Sequence, residues 1–111
     1  MAELADTIAR LQAYQEAGAD VLYAPGLRDL GAIEQVVRSV DLPVNVLLVR
    51  GGPNVAELAS VGVARISIGG ALHAISLAAV QRAARDWLDE GTLGFLDEAA
   101  SGVEIRKRVF R

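Results

Sequence analysis

The chain has 111 residues, 52% hydrophobic and 23% charged, a composition that gives one modest core and excludes a disordered polymer. Its formal charge of −3 leaves no electrostatic footprint for nucleic acid. The absence of cysteine excludes disulfides, thiolate metal ligands and a cysteine nucleophile.

The opening segment, MAELADTIAR, carries acids where a signal peptide carries bases, and no apolar run reaches bilayer-spanning length. A soluble, cytoplasmic protein without membrane contact is expected. Leu4, Ile8 and Leu11 recur at helical spacing, with Asp6 and Thr7 placed near the helix start and Gly18 at its end. A short apolar run at 21–24, closed by Pro25-Gly26, reads as a strand. Leu30, Ile33, Val36, Val37 and Val40 then mark a second helix with Asp29 as its N-cap. Pro43 precedes a second strand at 44–49, which ends in Gly51-Gly52. Val55, Leu58 and Ala59 mark a short third helix behind Pro53-Asn54. Gly62 and Gly69-Gly70 bracket a third strand at 66–68. A long fourth helix is expected over 71–90, with Leu72, Ile75, Ala79, Val80, Ala83, Trp87 and Leu88 on its apolar side and Gly91 behind it. The basic end, EIRKRVFR, reads as a solvated tail.

AGADVLYAPG and VGVARISIGG repeat one pattern: a glycine, a charged residue two or three positions on, a short apolar run and a closing glycine. Strands alternating with helices predict an α/β fold with a parallel sheet and right-handed crossovers. The closing glycines then fall at the carboxyl ends of the strands, where α/β proteins hold ligands. Three strands suit either a small open α/β domain or part of a barrel, which closes with eight strands and about 250 residues.

The candidate anion-binding residues are Gly26, Arg50, Gly51, Gly52, Ser67, Gly69 and Gly70. Glycine admits a ligand close to the backbone, and a helix start offers unpaired N–H groups to phosphate or carboxylate. The same glycines also serve plain strand-to-helix turns. Arg50 has the fork to clamp a carboxylate, or stands as a solvated loop residue. Ser67 shares a strand face with Arg65, and it reads more readily as a hydrogen-bonded serine than as a nucleophile. Asn45 reads as structural, because it lies near the start of its strand. Tyr23 reads as packing with its hydroxyl near the ligand edge. The single histidine, His73, makes no metal site alone. Asp86, Asp89, Glu90, Asp97 and Glu98 form a solvated face rather than a metal cluster. No residue here is assigned a catalytic role or a metal.

In order, AYQEAGADVLYAPG, PVNVLL, VGVARISIGGAL and the long helix up to EGTLGF resemble the last three βα units of the phosphoenolpyruvate mutase/isocitrate lyase superfamily barrel. The resemblance runs from about 8 to 96 and is closest to phosphonomutase-like and oxaloacetate-decarboxylase-like members. It implies a fold of three βα units from a (β/α)8 barrel over 1–96. The tail at 97–111 is expected to be helical or exchanged with a neighbouring subunit. It also implies a complete enzyme that makes or breaks a C–C or P–C bond of a small α-oxo acid with Mg²⁺. The family's motifs DxDTGYG and KKCGH are not present, so its metal role passes to no residue here. The metal-binding strands are expected to precede this segment, leaving the chain alone inactive. Pro25-Gly26 stands where the isocitrate-lyase side carries Pro-Glu, which argues against the methylisocitrate lyase reaction.

The expected partners are a small α-oxo acid or phosphate-bearing ligand, and either further copies of this chain or the missing barrel half. Two other functions compete: a self-associating half-barrel assembly module, and a small open α/β domain that only binds anions.

Overall fold

The computed structural model describes residues 2–110. It divides into two compact units after Gly69. The first contains α1 (Ala2–Glu16), β1 (Leu22–Tyr23), α2 (Leu30–Arg38), β2 (Val44–Leu47), α3 (Val55–Ser60) and β3 (Arg65–Ser67). The second contains α4 (Ala71–Leu88) and α5 (Phe95–Val109).

Local chemistry sets most helix ends. The Asp29 carboxylate accepts from Ala32 N at 2.8 Å and starts α2 as expected. Asn54 and Glu57 form a capping box at α3, with bonds of 3.0 and 2.7 Å. At the end of α3, Gly62 N donates to Ala59 O and Val63 N to Leu58 O, both at 3.1 Å. That double bond pattern needs a left-handed residue, and Gly62 supplies it with φ +87°. α1 ends in the same way around Gly18. The start of α1 differs from expectation: Asp6 and Thr7 lie one turn inside it. Asp6 pairs with Arg10 at 2.8 Å, and the Thr7 hydroxyl donates to Glu3 O at 2.9 Å. The preceding Ala2, Glu3, Leu4 and Ala5 include strong helix formers, so the helix extends back past the two polar residues.

The three strands lie parallel in the order β1-β2-β3. β1 and β2 are shorter than the sequence suggests, because laddering stops where a strand outruns its neighbour; β3 keeps its expected length but is shifted one residue earlier, where Arg65 pairs with Asn45. The register pairs Leu22 with Val44 and Tyr23 with Asn45, then Asn45 with Arg65, Val46 with Ile66 and Leu47 with Ser67. Paired side chains share a face. Leu22, Val44, Val46 and Ile66 therefore project one way, and Tyr23, Asn45, Leu47, Arg65 and Ser67 the other.

The first face meets Leu11 of α1, Ile33 and Val36 of α2, and Leu58 of α3 in one buried cluster. All three helices thus pack on one side of the sheet, as in a barrel wall. Each buried aliphatic side chain contributes roughly 1.5–3 kcal/mol.

In the second unit neither helix contains a buried residue. Leu72, Ile75, Val80 and Trp87, expected on the apolar side of α4, are all more than 60% exposed. Arg82 joins the two helices through Nη2, which donates to both Glu98 carboxylate oxygens at 2.7 and 3.0 Å. Arg106, Lys107 and Arg108 occupy the last turn of α5, where a helix dipole favours cations. No helix among the described residues is long and apolar enough to cross a membrane.

Leu58 is fully buried between α3 and the sheet, so Leu58→Ala is expected to lower unfolding free energy by about 2–5 kcal/mol. A urea titration followed by circular dichroism checks this; a loss below about 1 kcal/mol contradicts the one-sided core.

Candidate functional site

Because the strands are parallel, the segments that follow them share one edge of the sheet. After β2, residues 49–52 make a turn closed by Gly52 N donating to Val49 O at 3.0 Å. Gly51 occupies the third position with φ +77°, a conformation that type II turns reserve almost entirely for glycine. Arg50 stands exposed on the corner of that turn and joins no ion pair among the described residues. Gly52 is tightly approached: a Cβ there would lie 3.1 Å from Val49 Cγ2 and 3.9 Å from Arg28 O. The second loop therefore sits against the loop that follows β1.

That first loop holds Gly26 and borders a cleft of roughly 460 Å³ lined by Glu3, Thr7, Gly26, Arg28 and Asp29 among others. Arg28 was not legible as a site residue. Its only sequence signal is its place just after the Pro25-Gly26 turn. After β3, Gly69 lies beside β2, since a Cβ on it would meet Leu47 Cδ1 at 3.4 Å. Leu48 N donates to Ser67 O at 2.8 Å, which fixes the β2 and β3 ends to each other. Gly26, Arg50, Gly51, Gly52, Ser67 and Gly69 thus belong to one edge. Gly70 begins the second unit as the N-cap of α4.

The helix starts divide into two kinds. α2 and α3 are capped by their own side chains, Asp29 and Asn54 with Glu57, so their first N–H groups are partly spent on carboxylate or amide oxygens. Behind Gly51-Gly52, the Asn54 amide is taken by the Glu57 carboxylate and the Gly52 amide by Val49 O. α4 has no side-chain cap at Gly70, so its first amides lack a side-chain acceptor. His73 is in the first turn of α4 and is exposed.

Ser67 has a defined partner. Asn45, 3% exposed, donates through Nδ2 to Ser67 Oγ at 3.1 Å and accepts from Arg65 Nε at 3.1 Å. The chain of three polar side chains across β2 and β3 was not legible in sequence. Tyr23 lies next to it on the ladder and is 40% exposed.

The chain matches the family described as phosphoenolpyruvate phosphomutase over residues 1–88. It belongs to that family. The fold agrees: a lyase/mutase of Burkholderia cenocepacia J2315 is 49% identical with a TM-score of 0.84, covering 94% of this chain and 38% of that one. A 2,3-dimethylmalate lyase, a member of the phosphoenolpyruvate mutase/isocitrate lyase superfamily, is 28% identical with a TM-score of 0.70, covering 80% of this chain and 33% of that one. Among curated proteins, the oxaloacetate decarboxylase of Pseudomonas putida (strain GB-1) is 37% identical over 79 residues, covering 68% of this chain and 26% of the relative. The chain spans about a third of the length of the relatives it matches.

Magnesium demands hard oxygen ligands, chiefly carboxylates. Among the described residues no three Asp, Glu, His or Cys side chains come together in a group able to hold a metal ion. The edge offers two arginines and glycine backbone instead, which suit an anion. These residues do not fit a Mg²⁺ centre.

Placing a side chain at Gly51 forces a non-glycine residue into left-handed space, so Gly51→Ala is expected to cost about 1–2 kcal/mol. Gly51→Asn is expected to cost less, because asparagine tolerates that region. Thermal unfolding of the two variants reads the difference, and equal losses argue against the turn geometry.

Proposed function

We propose that this chain is the carboxyl-terminal third of a barrel enzyme whose complete form makes or breaks a C–C or P–C bond of a small α-oxo acid with Mg²⁺. In this reading the chain supplies binding rather than chemistry. Arg28 and Arg50 provide positive charge at the carboxyl edge, and the glycine turns let the carboxylate or phosphate end of the substrate approach backbone amides. The metal and the groups that move protons are supplied by strands outside this sequence, and the chain alone is inactive. The observation that supports this most is the family match over residues 1–88 in a chain spanning about a third of its relatives' length.

The test is a turnover assay of the purified chain with Mg²⁺ and oxaloacetate. No turnover above the metal-catalysed background is expected, and protein-dependent decarboxylation overturns the claim of inactivity.

A second reading, a self-associating module, is favoured by the exposed apolar residues of α4 and α5, among them Leu72, Ile75, Val80 and Trp87. The unpaired outer edges of β1 and β3 point the same way. Further copies of this chain would cover those surfaces. Sedimentation at rising concentration is expected to give a dimer or larger assembly. A monodisperse monomer without dye-accessible apolar surface removes this reading.

A further inference from the structure

The sheet face opposite the core carries Tyr23, Asn45, Leu47, Arg65 and Ser67, and none of these belongs to the buried cluster formed with α1, α2 and α3. Parallel sheets are stable when both faces are covered. Leu47 and Ser67 are half-buried on this face, while Tyr23 and Arg65 are exposed. Arg65 is also pre-set. Its Nε is held by the buried Asn45, whose other amide end is held by Ser67. That leaves the terminal guanidinium nitrogens directed by a rigid support, and Arg65 joins no ion pair among the described residues.

We propose that Arg65 is a recognition residue for the polypeptide that covers this face, and that the covering layer presents an Asp or Glu carboxylate to it. This rests on the reading of the chain as part of a family barrel: the occupant is the run of βα units that precedes this segment in complete relatives. The size of the missing part fits, since this chain spans 38% and 33% of the two barrel proteins it superposes on. The charge fits as well. Covering the face removes water from a guanidinium, and leaving that charge unpaired is strongly unfavourable. A carboxylate meeting the planar fork in two parallel bonds offsets that cost and fixes register, which a purely apolar cover does not do. Asn45 has no capacity to neutralise the charge, because it is an amide. Its role is to hold the fork in place.

The experiment co-expresses the full 111-residue chain with the segment of the 49%-identical Burkholderia lyase/mutase that precedes the matched region. Native mass spectrometry reads the complex. A one-to-one heterodimer is expected, with recovery reduced about tenfold or more by Arg65→Glu through like-charge repulsion. Arg65→Met is expected to weaken it and Arg65→Lys to retain more than Arg65→Met. Arg65→Met and Arg65→Glu remove the donor to the buried Asn45 Oδ1, so a modest fall in melting temperature is expected for the chain alone. The complexes are therefore compared well below each variant's melting temperature, with an unchanged circular dichroism spectrum there as the check on folding.

A heterodimer that forms equally well with Arg65→Glu and Arg65→Met overturns the charge recognition while leaving the partial-barrel reading in place. No heterodimer, with the chain recovered as a monomer or bound to its own copies, overturns both. Substituting each acid of the covering segment by its amide supplies the reciprocal check: one such variant is expected to reproduce the Arg65→Met loss, and none doing so counts against the proposal.

Discussion

The structure depends on a parallel ladder whose helices all lie on one face. Leu22, Val44 and Val46 meet Leu11, Ile33, Val36 and Leu58 there, with the half-buried Ile66 of β3 packed against them, and this single layer of contacts holds six elements in order. Strands of two to four residues have too few ladder bonds to stand alone. They persist because each is fastened to a helix by its inward aliphatic residues. The same constraint leaves the other face to something else, and its side chains reflect that: a tyrosine, an asparagine, a serine and an arginine stand beside one leucine.

The one-sided packing also sets the character of the carboxyl edge. The loops after β1 and β2 adjoin there: a Cβ on Gly52 would stand 3.9 Å from the Arg28 carbonyl oxygen, an ordinary contact. Arg28 and Arg50 bring positive charge there, while Asp29 is committed to its helix cap. Glu57, behind the second turn, is likewise committed to its capping box.

The second unit follows a different logic. α4 and α5 are held by the Arg82–Glu98 bond and by helix propensity, with no buried side chain between them. An exposed ion pair of this kind contributes at most about 1 kcal/mol, so the hairpin has little intrinsic reason to be rigid. Its apolar residues have the spacing of a helix that packs against something. That spacing is why α4 read in sequence as an ordinary amphipathic element with a covered face.

The Asn54 cap and the helix α5 came from the structure; the sequence by itself determined the order of elements from α1 to α4, the cap at Asp29, the glycine stops and the family. Each is a local signal: a period of apolar residues, a side chain able to reach its own backbone, or a backbone conformation that only glycine accepts cheaply. The glycine and Arg50 positions at the carboxyl edge were legible for the same reason, since parallel strands place every following turn at one end. Tertiary structure alone decided that the helices share one face, that Asn45 ties Arg65 to Ser67, that Arg28 joins the edge, and that the apolar side of α4 is bare. Those features join residues 20 or more apart in sequence, as in the Arg65–Asn45 and Asn45–Ser67 bonds, or depend on which surface finds a neighbour. A period-two or period-3.6 pattern records that a face is apolar; only packing decides what covers it.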